Sequence, residues 1–214
     1  MSISLPNGAL VAIASGYGSE LTVSAISNAN PAVASSTGHG LADGDIVEVT
    51  SGWSRLTEKV VKVDQLTADT FSLVGVDSSL TSIYPAAGGA GTVREITGWT
   101  QLAQILDSSS SGGEQQFLEY QLLEADAQKR IPTFKSAAGL TFSVADDPTL
   151  AGYVLASTAN DDRLPRAVRI TLPSGATIFY NAYISLNKTP SLTVNQIMAV
   201  EVTLSLLAEP VRYA

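Results

Sequence analysis

Few residues in this chain of 214 could carry chemistry. The single histidine, His39, lies in the glycine-rich stretch GHGLADGD, which reads as a turn rather than as the setting of a general base or ligand. A Ser-His-Asp triad would have to use it, and no GxSxG elbow is present. A three-histidine zinc site is impossible, and the absence of cysteine removes thiol catalysis, disulfides and cysteine-based zinc sites. Asp43, Asp45 and Glu48 are close in sequence, but Gly44 is misplaced for a calcium loop, so they read as solvated turn and strand carboxylates. Asp146-Asp147 reads as helix capping before it reads as a catalytic pair. GYGSEL and GGAGTV both fail the dinucleotide fingerprint, and no GK[ST] follows a glycine loop. Asn187-Lys188-Thr189 matches the glycosylation acceptor by coincidence, since the opening MSISLPNGALVAIAS lacks a secretory signal. Trp53, Trp99 and seven tyrosines could form a sugar platform, yet aromatics are only 7% of the chain and commonly fill cores. Neither a cofactor, a metal nor an enzymatic activity is expected.

The elements that must position these residues are suggested by composition. The chain is 45% apolar but only 15% charged, and 25 serines, 19 threonines and 17 glycines supply the remaining polarity. Such a chain can bury a core. Its formal charge is -8, and outside Lys129-Arg130 no two bases lie closer than three residues apart, as in Arg166 and Arg169. Stable nucleic-acid binding needs phosphates neutralised by clustered Lys and Arg, so it is disfavoured. No window approaches the roughly 20 apolar residues of a membrane span. Synthesis and first folding are therefore expected in a cytoplasm.

The hydrophobic pattern is mostly β. In VEVTLSLL, Val200, Val202, Leu204 and Leu206 alternate with Glu201, Thr203 and Ser205, the period of a half-buried strand. AVRITL and ATIFYNAYISL flank Pro173-Ser174-Gly175, which predicts a hairpin with Ile178, Tyr180, Ala182 and Ile184 on one face. One helix is predicted, capped by Asp147 with Pro148 in its first turn. Leu150, Tyr153 and Val154 would form its buried stripe, and it would fade near Ala156 to Asn160. Residues 21–97 contain short strand runs (DIVEV, KVVKV, FSLVGV) and end in AAGGAG, which predicts a small inserted β-domain. The main core would then be 1–20 and 98–214. The SSSSGG run from Ser108 to Gly113 reads as a long loop between two strands. Residues 1–98 hold 9 acids and 4 bases, and 99–214 hold 11 and 8, so there is no charged tail.

Three stretches together resemble a bacteriophage tail tube protein of the long, non-contractile (siphophage) kind, the major tail protein family. LPNGALVAIASG is similar to the first strand of such proteins. TGHGLADGDIVEVTSGWSRLTEKVVKV with TADTFSLVGVDSS resembles a small β-module inserted in many phage tail proteins. GGEQQFLEYQLLEADAQKRIPT, the helix after ADDP and LPSGATIFYNAYISLNKTPSL resemble the family's core.

The resemblance implies a mainly β, tail-tube-type β-sandwich with one flanking α-helix and the inserted module. It implies stacked homo-hexameric rings that form the hollow virion tail tube, assembled in the bacterial host cytoplasm. Terminator, tape measure and distal tail proteins would be its other partners. DNA would pass through the lumen without stable binding, and no membrane partner is implied. Glu119 and Glu201 are the candidate lumen-facing acids. Asp107, Ser108, Ser111, Gly112, Gly113 and Glu114 are the candidate inter-ring loop. The alternative from another class is a glycan-binding β-sandwich, a receptor-binding or decoration module; an enzyme resting on carboxylates alone ranks last.

Overall fold

The structure, a computed structural model, describes residues 7–214. Leu5 and Pro6 of the opening motif, like residues 1–6 as a whole, lie outside the described residues. Among these the chain forms fifteen strands and one helix. Strand β1 is Leu10–Val23, followed by β2 (Ala25–Ile26), β3 (Ala32–Ser35), β4 (Ile46–Ser51), β5 (Val60–Thr67) and β6 (Thr70–Leu73). Then come β7 (Gly91–Leu102), β8 (Ile105–Ser111), β9 (Gln115–Tyr120), β10 (Lys129–Lys135) and β11 (Gly139–Ala145). Helix α1 (Ala151–Asp162) precedes β12 (Arg166–Thr171), β13 (Thr177–Asn187), β14 (Ala199–Leu206) and β15 (Val211–Tyr213).

The strands form one antiparallel sheet in the order β2-β3-β6-β5-β4-β7-β1-β12-β13-β14-β11-β8, with β15 added on β13 and a separate β9–β10 ribbon. The fold is mainly β, with a single flanking helix. The hairpin around Pro173-Ser174-Gly175 is present: β12 and β13 pair from Thr171↔Thr177 to Arg166↔Ala182. β15 is an element that the sequence did not suggest.

β1 and β7 are the long spine. They pair from Val11↔Leu102 to Val23↔Gly91, with register shifts between Ala14 and Glu20. Gly16 and Gly98 face each other there: a Cβ on Gly98 would lie 3.2 Å from the Gly16 nitrogen. The missing side chains let the ladder bulge and bend, so one sheet folds back over its own face. The expected boundaries at 20/21 and 97/98 thus fall inside continuous strands.

Burial follows this bend. Val23, Trp53, Leu56, Phe71, Leu73 and Val93 close a core in the 21–97 region. Ile13, Phe142, Val144, Val168, Val202 and Leu204 pack beneath α1. Ala14, Val60, Ile96, Ala167 and Phe179 form a third cluster joining the two regions.

The helix differs from its expected form. It starts at Ala151, its N-cap position is Leu150 without a side-chain cap, and it runs to Asp162. Asp147 instead accepts from the Thr149 N–H (3.0 Å) and Oγ1 (2.6 Å), an Asx-type turn ahead of the helix. The buried positions are Gly152, Ala156 and Ala159, whereas Val154 is exposed. The reason is distance: α1 lies so close to β7 that a Cβ on Gly152 would meet the Gln101 carbonyl oxygen at 2.3 Å. Small residues face the sheet because the contact leaves no room for large ones.

Candidate functional site

The apolar side of VEVTLSLL packs beneath the helix, which leaves its other side open. The strand register extends that open side across four strands. Ser205 of β14 stands between Gly139 of β11 and Tyr183 of β13, with Ser111 of β8 beyond Gly139. The next row is Ser109, Thr141, Thr203 and Ser185. The third is Asp107, Ser143, Glu201 and Asn187. None of the segments 105–111, 139–145, 182–187 and 199–206 contains Lys or Arg. The result is a hydroxyl-rich face carrying two carboxylates, Asp107 and Glu201, which line one shallow depression around Ser143.

Glu201 is therefore where alternation predicted it, opposite the apolar stripe. Asp107, Ser108 and Ser111 are not in a loop. The serine run is strand β8, hydrogen-bonded to β11 and forming one edge of the sheet. Four consecutive serines carry no alternation, so the sequence could not reveal a strand whose pairing is supplied by its neighbour. Thr141, Ser143, Ser185 and Asn187 were also missed as members of this face. The alternation in TFSVA and YISLN was the available signal.

Gly112, Gly113 and Glu114 lie between β8 and β9, the two glycines at positive φ (72° and 79°). There the β8–β11 ladder kinks and continues as the β9–β10 ribbon, linked by the Ser136 N–H to the Glu114 carbonyl at 2.9 Å. The ribbon exposes apolar groups: Phe117, Leu118, Leu122, Leu123, Ile131 and Phe134. Glu119 belongs to this arm and not to the sheet of Glu201. It sits opposite Arg130 and forms an ion pair with it at 2.5 Å.

The remaining chemistry-bearing residues hold the fold. His39 Nδ1 accepts from the Leu41 N–H at 3.0 Å, so Nε2 donates to the Thr67 carbonyl at 3.0 Å. Its ring meets Phe71 edge-on. Both nitrogens are used in a buried turn. Asp43 accepts from the Gln65 N–H and Asp45 from the Ala42 N–H, both at 2.7 Å. Glu48 corrects the solvated reading: its side chain is 12% exposed. One oxygen takes Arg94 at 2.6 Å and the other takes the Asn181 amide at 2.8 Å. Arg94 also lies 4.1 Å above the Tyr17 ring, and the Tyr17 hydroxyl accepts from the Ala167 N–H at 2.9 Å. Burial opposes the charge on Arg94, but the Glu48 hydrogen bond and charge outweigh it and raise its pKa. Burial also raises Tyr17. This junction joins β4 and β7 to β12 and β13.

Among the described residues no group of acids and histidine is arranged to hold a metal, and no helix is long and apolar enough to cross a membrane. What the fold builds is surface: a wetted sheet face, a free edge and a projecting apolar arm. The sequence family described as "Phage tail tube protein, TTP" matches residues 51–214, and the chain belongs to that family. It is a structural component of the tail and not an enzyme. The sequence matches no curated protein. Among solved structures, a chain of an extracellular contractile injection system (the PVC sheath-tube complex in its extended state) is similar at 19% identity and TM-score 0.37. That match covers 50% of this chain and 79% of the other, and at this level it adds nothing to the family assignment.

Proposed function

We propose that this tail tube protein stacks as hexameric rings in a non-contractile phage tail. The β8–β11–β14–β13 face would line the lumen through which DNA is ejected. What supports the reading is the complete lack of Lys and Arg on that face. A luminal cation would hold a phosphate by releasing its counterions, whereas hydroxyls keep water and carboxylates repel the passing backbone. Repulsion acts over about 8–10 Å at physiological ionic strength. Repetition around each ring and along the stack would add the contributions of Asp107 and Glu201 into one negative field. Glu119, neutralised by Arg130, is assigned to the arm, and Gly112 to Glu114 to the bend that leads into contacts between rings. Residues 21–97 would lie on the outer wall. Terminator, tape measure and distal tail proteins would meet the tube at its ends or within it.

Electron microscopy of the purified protein tests the assembly, and hollow stacked rings are the expected image. A protein that stays monomeric and binds a glycan array would replace this reading with that of a decoration module. For the lumen, phage carrying Asp107→Lys with Glu201→Lys should assemble normally but eject DNA several-fold more slowly at low salt. Ejection at the normal rate would remove this face from the pore.

A further inference from the structure

The arm has a charged tip, and a cleft opens at its root. The tip, residues 121–128 (QLLEADAQ), carries Glu124 and Asp126 and no base. Leu123 there is fully exposed, and the tip is held in shape by the Ala125 N–H donating to the Leu122 carbonyl at 3.0 Å. The cleft, about 430 Å³, opens between the 21–97 region and the arm's base. Arg55, Lys59 and Lys135 line it together with Glu209, Tyr84 and Phe134. Three bases against one acid make it a positive patch on a chain of net charge -8. Glu209 pairs with Lys135 and its charge also reaches Lys59 and Arg55, yet one acid cannot balance three bases. Phe134 is 68% exposed and supplies an uncovered apolar wall.

A chain cannot fill its own cleft. Gln115 and Lys135 at the arm's root line it, and the six residues of β9, at about 3.3 Å each, carry the tip roughly 20 Å away.

We infer that the tip of one copy docks into the root cleft of the next, with Leu123 against Phe134 and Tyr84 and with Glu124 and Asp126 against Arg55 and Lys59. The occupant is a second copy because its tip matches the cleft in both respects: two acids meet the surplus bases, and an exposed leucine meets an exposed aromatic. The contact is heterologous, tip to root, so it propagates from copy to copy and closes a ring or extends a stack. It gives the exposed apolar groups of the arm a cover. This inference rests on the self-assembly proposed above and specifies the surfaces that make it.

The absence of cysteine makes cross-linking a clean test. Arg55→Cys combined with Asp126→Cys should give, on oxidation of assembled protein, a ladder of covalent multimers that reductant collapses; neither single variant should give a ladder. Tubes or rings that form without a ladder overturn the docking and leave the tube reading intact. A wild-type chain that never assembles overturns both. Charge reversal supplies the second arm. Glu124→Lys with Asp126→Lys should reduce assembly at least tenfold at low salt, and adding Arg55→Glu with Lys59→Glu should restore it. Failure of the quadruple variant to recover, with each variant folded by circular dichroism, also overturns the docking.

Discussion

Phe179 and Asn181 of β13 share a face with Tyr183, Ser185 and Asn187, yet the first two are buried and the last three are exposed. The strand is regular throughout. The difference comes from what covers it. Beside Phe179 and Asn181 the sheet has folded back, bringing Val60 of β5 and Glu48 of β4 onto that half. Beyond Ala182 none of the described residues returns over that face, and its side chains become hydroxyls and an amide. Burial along one face of one strand is therefore set by the reach of the β1–β7 spine, and a half meant to stay wet needs only small polar residues. Helix α1 backs the same region from the other side, so the open half is thin but supported.

The comparison can be broken most severely by removing the cover. Replacing residues 24–90 with a short Gly/Ser linker uncovers Phe179 and removes the Glu48 partner of Arg94 and Asn181. The expected outcome is loss of cooperative unfolding and recovery in the insoluble fraction. A soluble core with a sharp melting transition would show that the covered half is stable without its cover.

Gly152→Val attacks the support of the open half. Its side chain would be driven into the Gln101 carbonyl, so the helix must lift from β7. Overpacking of this kind costs on the order of 3 kcal/mol, visible as a lower denaturant midpoint. An unchanged midpoint would mean that α1 can slide without disturbing the sheet.

A smaller effect is expected from Tyr213→Phe, which sharpens the role of the C-terminal strand. The Tyr213 hydroxyl accepts from the Lys62 N–H at 2.8 Å and donates to the Val74 carbonyl at 2.9 Å, while its ring packs on Phe179. β15 thereby ties β13 to the 21–97 region. Losing two hydrogen bonds should cost about 1–2 kcal/mol, and hydrogen exchange should rise selectively in β5 and β6. Uniform protection would deny the strand this coupling role.

The smallest effect concerns acid. The Asp162 carboxyl is held below its ordinary range, chiefly by the Leu164 N–H (2.9 Å) and also by Arg166 (2.5 Å). A depressed carboxylate contributes stability above its unfolded pKa, and that contribution disappears as pH falls through the folded value. Asp162→Asn should therefore lower the melting temperature slightly at pH 7. The gap to wild type should narrow below about pH 4, near the unfolded aspartate pKa. A gap that stays constant down to pH 2 would show that packing, not charge, holds this helix end.

Legibility tracked local periodicity. Alternation in residues 199–206 placed Glu201 on the open face, and the Pro-Ser-Gly turn placed the β12–β13 hairpin. The serine run of β8 has no such signal, since its strand state comes from hydrogen bonds to β11. The helix stripe was misread because its buried residues are glycine and alanine, chosen by the closeness of β7 rather than by hydrophobicity. Glu48 seemed solvated because Arg94 and Asn181, its partners, are 46 and 133 residues away.

By itself the sequence determined a charge-poor, cysteine-free, mainly β chain without catalytic apparatus, because composition and period-two patterning act locally and need no knowledge of neighbours. Only the tertiary structure decided that Asp107 joins Glu201 on one base-free face, that Glu119 belongs to an arm, and that the 21–97 region covers half of the sheet. Each of these depends on pairing between distant strands and on a bend at facing glycines, and the free energy of such contacts is shared between residues that no local window contains.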